Sequence, residues 1–158
     1  MTPDLREICS KYGDRLYAAA FSICRQQQDA EDAVQETLLR LYRSDTEFES
    51  EEHLKAWLLR VTVNAAKSIR RTFWNRMRTS YEEYMDSLGF EEPSDRSLMD
   101  AVLALPEKYR IVVHLHYFEG YKTREIAQIL ELSENTVKTR LLNSRKILKT
   151  KLEGWEDE

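Results

Sequence analysis

Apolar positions recur at three- and four-residue steps from the start of the chain. Leu5, Ile8, Tyr12, Leu16, Ala19 and Ile23 therefore share one face of a helix. A second inward stripe follows at Ala30, Ala33, Val34, Thr37, Leu38, Leu41 and Tyr42. It sits behind a start that predicts Asp29 as N-cap and Asp32 at the third helical position. Acids there also suit the positive end of the helix dipole. Residues 44–52 are acidic, lack periodicity and read as a loop. Leu54, Trp57, Leu58, Val61, Ala65 and Ile69 then give a third helix, and the three can close a small bundle.

The pattern weakens from Phe73 to Asp95, where Gly89, Pro93 and several acids predict a flexible linker with room for a short helical piece at Tyr81 to Leu88. Periodicity returns at Leu98, Ala101, Val102 and Leu105. Pro106 suits the first turn of another helix, which buries Tyr109, Val112, Val113 and Tyr117 and ends at Gly120. Thr123 can cap a short helix holding Ile126, Ala127, Ile129 and Leu130. Glu131, Leu132 and Ser133 make a tight turn, and Ser133 caps a longer helix from Glu134 onward. Short helix, three-residue turn and longer helix form a helix-turn-helix, with small Ala127 where the two helices cross. The expected fold is all-α: two small helical domains, residues 1–73 and 97–153, joined by a linker at 74–96.

The last helix divides by face. Val137, Leu141, Ser144 and Leu148 lie on one side, and Asn135, Lys138, Thr139, Leu142, Arg145 and Lys149 on the other. Major-groove reading uses such a mixture: cations for phosphate and guanine, amides for adenine, an apolar contact for the thymine methyl. An amphipathic hairpin with no DNA partner divides the same way. Here turn, cap, small residue and basic face coincide.

Composition changes this picture in two respects. In 158 residues, 33% charged and 42% hydrophobic, only four Gly and three Pro interrupt the chain, which favours long helices in one or two small domains. No apolar run approaches the ~18 residues of a membrane span. The first ten residues also lack the basic start and apolar stretch of a signal peptide. A cytoplasmic protein without stable membrane insertion is expected. The net charge of −4 hides two basic runs. Lys55, Arg60, Lys67, Arg70, Arg71, Arg76 and Arg78 follow one another with no acid between them, as do Lys138, Arg140, Arg145, Lys146, Lys149 and Lys151. A phosphate backbone responds to such local fields rather than to the average, although each run alone also fits a solvated helix face.

Little in the sequence points to covalent chemistry. Cys9 and Cys24 form no Cys-x-x-Cys pair, and His114 and His116, two apart, point to different sides of a helix. Paired carboxylates on a strand, a glycine-rich phosphate loop and a nucleophile–base motif are all missing. The chain is expected to bind rather than catalyse, with no metal and no cofactor.

The segments DAEDAVQETLLRLYR and HLKAWLLRVTVNAAKSIRR resemble the second conserved region of extracytoplasmic-function sigma factors of the sigma-70 family. The segment LPEKYRIVVHLHYFEGYKTREIAQILELSENTVKTRLLNSRKIL resembles their fourth region. Together they cover most of the chain in the family's order. The resemblance implies an RNA polymerase sigma factor that directs promoter recognition, DNA melting and initiation at a stress or envelope-response regulon. By the same resemblance, Asp32, Gln35 and Glu36 match positions that engage the beta-prime clamp helices of core RNA polymerase. The loop 46–52, with Phe48, Glu49 and Ser50, matches the loop that captures a flipped base of the −10 element, and Asn64, Lys67 and Arg71 match helix positions beside that strand. Asn135, Thr136, Lys138, Thr139, Leu142, Asn143 and Arg145 match positions at the −35 element. An anti-sigma factor is implied as a further partner. Two departures affect the promoter sequence: Asn143 stands where many relatives have arginine, and Leu142 where some have an aromatic. A repressor or activator working without polymerase would use the helix-turn-helix but leave Asp32, Gln35 and Glu36 idle.

Overall fold

Residues 4–76, 98 and 100–152 are described by a computed structural model. All regular structure among them is helical, and the chain divides into two compact units, Met1–Arg78 and Thr79–Glu158. The expected linker, with its helical piece at 81–88, falls almost wholly outside the described residues.

The first unit is a bundle of α1 (Leu5–Cys24), α2 (Gln27–Arg43) and α3 (Glu51–Arg76), each packed on the other two. The predicted stripe of α1 is the buried one: Ile8, Tyr12, Leu16, Ala19 and Ile23 face inward. Alanines with no exposure at 19, 20, 30, 33 and 66 let the helix backbones approach closely. Between α2 and α3, Thr37 Oγ1 donates to the Ala33 carbonyl and lies 2.8 Å from Thr62 Oγ1. Its one proton is thereby used, so the Thr62 hydroxyl donates to Thr37. Cys24 Sγ contacts the Ala66 carbonyl, and Arg70 Nη1 donates to the Ile23 carbonyl, fixing the end of α1 against α3.

Four expectations for this unit are corrected. The α2 cap is Gln26, whose side chain accepts from the Asp29 N–H. Arg25 ends α1 in the left-handed region at φ 53°, so the next helix restarts two residues later and Asp29 itself takes the third helical position. Tyr42 is 75% exposed, because it belongs to the last turn of α2, beyond buried Leu41. In α3, Leu59, Thr62 and Val63 are buried while Val61 and Ile69 are only half-buried. A long helix packed on two neighbours buries a wider arc than one stripe. Finally, α3 begins at Glu51 and runs to Arg76, so the loop ends at Ser50.

The second unit has helical residues 100–103, then α4 (Glu107–Val113), a π-helical turn (His114–Phe118), α5 (Thr123–Leu130) and α6 (Glu134–Lys151). Pro106 stands just before α4 rather than in its first turn, and its carbonyl accepts from the Tyr109 and Arg110 N–H groups. Ile111, Val112, Val113, Leu115, Ile126, Ile129, Val137 and Leu141 form the core. Arg110 is also buried and donates to the Leu105 carbonyl at 2.6 Å. Tyr117 was expected inside and is 54% exposed. The physical cause is the π turn, marked by the Glu119 N–H bonding back five residues to the His114 carbonyl. One extra residue per turn carries later side chains off the α register: Leu115 stays inside, while Tyr117 and Phe118 turn out. Gly120, at φ 77°, ends the element as expected.

Candidate nucleic-acid interface

The helix-turn-helix is built by local chemistry. Glu131 takes the left-handed region at φ 57°, and the Leu132 N–H bonds to the Ala127 carbonyl. Ser133 then caps α6, accepting from the Thr136 N–H at 3.1 Å. Ala127 is buried at the crossing. Thr123 is not the cap of α5: Glu125 Oε1 instead accepts from the Lys122 N–H. The Thr123 hydroxyl donates across the corner to Glu134 Oε2 at 2.8 Å. That bond, and then Lys138 with its Nζ 3.6 Å away, hold the Glu134 carboxyl below its ordinary pKa.

Burial on α6 follows the predicted division. Val137, Leu141 and Ser144 are buried and Leu148 is half-buried, while Asn135, Lys138, Thr139, Leu142, Arg145 and Lys149 are exposed. Thr136 and Asn143 are half-buried at the edge of the face. With Thr139 and Arg140 they line a cleft of about 310 Å³ whose far wall is Lys108 and Tyr109 of α4. On the other flank, Arg145 Nε donates to the Tyr117 hydroxyl at 2.6 Å. Lys108, Tyr109 and Tyr117 are neighbours that helical periodicity of α6 could not supply, because they come from another element.

In the first unit the candidate residues separate into three places. Asp32 and Gln35 are exposed on α2 and Glu36 is half-buried. Asp32 accepts from Gln28 at 2.9 Å, and Glu36 from Arg40 Nε at 3.0 Å. Leu39, at 47% exposure, lies one turn further along this edge. Phe48 lies on the loop before α3. Its ring is 7% exposed and packs edge-on against His53 and Trp57, with centroids 5.2 and 5.5 Å away. An apolar ring in a short loop gains more from that apolar contact than from solvent, so Phe48 anchors the loop and Glu49 and Ser50 are exposed. The Glu49 N–H donates to His53 Nδ1, and Ser50 Oγ accepts from the His53 N–H. Glu51 accepts from Lys11 Nζ at 2.8 Å and also from the Tyr12 hydroxyl, which ties the start of α3 to α1. Asn64 and Arg71 are exposed and Lys67 is half-buried, in one stripe down α3. Ser50, just before α3, and Asn64 are about 20 Å apart along the helix axis.

Two families match this architecture in order: residues 8–76 match sigma-70 region 2, and residues 95–148 match sigma-70 region 4. The RNA polymerase sigma factor SigV of Bacillus subtilis is 33% identical over 139 residues, covering 86% of this chain and 83% of its own. The chain belongs to the extracytoplasmic-function sigma factors of the sigma-70 family. The ECF RNA polymerase sigma factor SigW of Bacillus subtilis is 26% identical, with 92% of this chain and 87% of SigW covered. Among solved structures, the sigma factor RpoE in complex with the anti-sigma factor NepR from Bartonella quintana shares the fold, with a TM-score of 0.66 at 24% identity over 96% of this chain and 98% of that one. CnrH in complex with the cytosolic domain of CnrY gives a TM-score of 0.60 at 25% identity, covering 94% and 86% respectively. The protein is therefore a promoter-recognition factor for transcription initiation. Sigma factors are initiation factors rather than enzymes, and none of the described helices is long and apolar enough to cross a membrane.

Proposed function

We propose that this sigma factor divides promoter recognition between its two units, with domains at residues 1–73 and 97–153 and a linker at 74–96. In the first, Asp32, Gln35 and Glu36 dock on the beta-prime clamp helices of core RNA polymerase. Glu49 and Ser50, on a loop anchored by Phe48, meet an unpaired base of the −10 element, and Asn64, Lys67 and Arg71 track the same strand. Taking a base out of the stack costs a few kcal/mol, which a pocket must offset with its own contacts. In the second unit, Asn135, Thr136, Lys138, Thr139, Leu142, Asn143 and Arg145 read the −35 duplex. Holding both on one polymerase raises the effective concentration of each weak contact. The observation that carries this reading is the exposed polar face of α6 opposite buried Val137 and Leu141. The factor works in the cytoplasm on a stress or envelope-response regulon, and an anti-sigma factor holds it inactive. The complexes named for RpoE and CnrH support such a partner.

The test uses holoenzyme on two templates at two salt concentrations, because phosphate contacts fade with salt. Lys138→Ala should weaken binding to a closed promoter by roughly 1–3 kcal/mol if it contacts a base, and less if it contacts phosphate. It should matter little on a pre-melted template lacking the −35 element. Asn64→Ala should show the reverse. Equal losses for both variants on both templates would overturn the division of labour.

A further inference from the structure

From the contact between the π turn and α6, we infer that Tyr117 is a positioning residue that presets Arg145 for the promoter duplex. The inference rests on the reading of Arg145 as a −35 contact. Arg145 leaves α6 on the flank nearest the π turn, and its Nε donates to the Tyr117 hydroxyl at 2.6 Å. The guanidinium carbon lies 5.7 Å from the centre of the Tyr117 ring. The hydroxyl contact thus holds the side chain at the edge of the tyrosine ring. An exposed arginine on a helix otherwise samples many rotamers, and ordering it on binding opposes affinity. Tyr117 removes part of that opposition in the free protein.

The choice of Nε matters chemically. It leaves Nη1 and Nη2 without a partner among the described residues, and these two groups form the end of the fork that binds guanine O6 and N7, or phosphate, in a bidentate manner. Tyr117 takes the nitrogen that such end-on recognition does not need. The tyrosine is itself held from below. It stacks edge-on against His116 at a centroid distance of 4.8 Å, and His116 Nδ1 lies 3.0 Å from the Tyr121 carbonyl. The widened turn therefore takes part in the arrangement: Tyr117 faces outward from it, within hydrogen-bond reach of Arg145.

The experiment is a double-mutant cycle in full-length protein bound to core polymerase. The probe is a labelled duplex whose −35 segment has been selected from a randomised pool by the wild-type holoenzyme. Tyr117→Phe keeps the ring and removes the acceptor. It should weaken binding roughly three- to tenfold, with an unchanged melting temperature. In an Arg145→Ala background the same change should cause no further loss, and it should flatten base preference at the position Arg145 reads. A role confined to packing would lower stability and give additive losses without changing base preference. Wild-type binding by Tyr117→Phe, alongside a clear defect in Arg145→Ala, would overturn the positioning role and leave the Arg145 contact standing. Wild-type binding by Arg145→Ala would overturn both.

Discussion

The two units present the side chains proposed for function by different means. In the first, Asp32, Gln35, Asn64 and Arg71 project from the outer faces of long helices whose inner faces make the core. In the second, the outer face of α6 is bounded by residues from elsewhere: Lys108 and Tyr109 on one flank, Tyr117 on the other and Thr123 at its start. A long helix offers a surface defined by its own periodicity. A short-helix corner offers one defined by its neighbours, so its function depends more directly on its packing.

The largest test of that difference is Leu141→Ala. Leu141 is 1% exposed, opposite the polar face of α6. Removing it should destabilise the second unit by about 2–5 kcal/mol, a large share of what a unit of such size can hold. Hydrogen exchange should show the second unit opening and α1–α3 unchanged, with −35 binding lost and core polymerase binding retained. Simultaneous opening of both units would end the comparison.

A smaller effect is expected from the buried hydroxyl pair of the first unit. Thr37→Val leaves the Thr62 hydroxyl buried without its acceptor and should cost about 1–3 kcal/mol. Thr37→Val with Thr62→Val should recover much of that loss. Urea unfolding followed by Trp57 fluorescence, with Trp74 and Trp155 replaced by Phe, measures both. A double variant no better than the single would place the loss in the Thr37 bond to the Ala33 carbonyl and not in an orphaned Thr62 hydroxyl.

The smallest expected effect is a pH dependence confined to the second unit. Burial lowers the His114 pKa below its ordinary value, with Glu119 opposing the shift. Its Nε2 is buried with no hydrogen-bond partner among the described residues. The unfolded chain then takes up a proton more readily than the folded one. The neutral ring's stability is fully present above a pH of about 6.5 and is lost as pH falls through the lowered folded value. The second unit should melt at a lower temperature at pH 5.5 than at 7.5. His114→Phe, which preserves the stacking on Phe118 at 5.5 Å, should narrow that difference. An unchanged pH dependence in this variant would assign the effect to other groups.

Much of this architecture was legible in the residues. The stripe from Ile8 to Ile23, the tight turn capped by Ser133 and the two faces of α6 all follow from spacing and cap chemistry. Phe48 shows where such reading stops. Its loop shows no periodicity, yet the ring lies against Trp57, and no local pattern announces a contact nine residues away. Asp29 shows a subtler miss. Aspartate is a favoured cap, but Arg25 had already turned the chain, so Gln26 reached the free N–H first.

The sequence by itself determined that the chain is helical, that it forms two units and which edge of each is polar, because periodicity and caps act over a few residues along the chain. Only the tertiary structure decided that the π turn faces Tyr117 outward, that this tyrosine meets Arg145, and that Phe48 closes its own loop. Those outcomes depend on contacts between elements, where one added residue in a turn redirects a side chain without altering the hydrophobic pattern that precedes it.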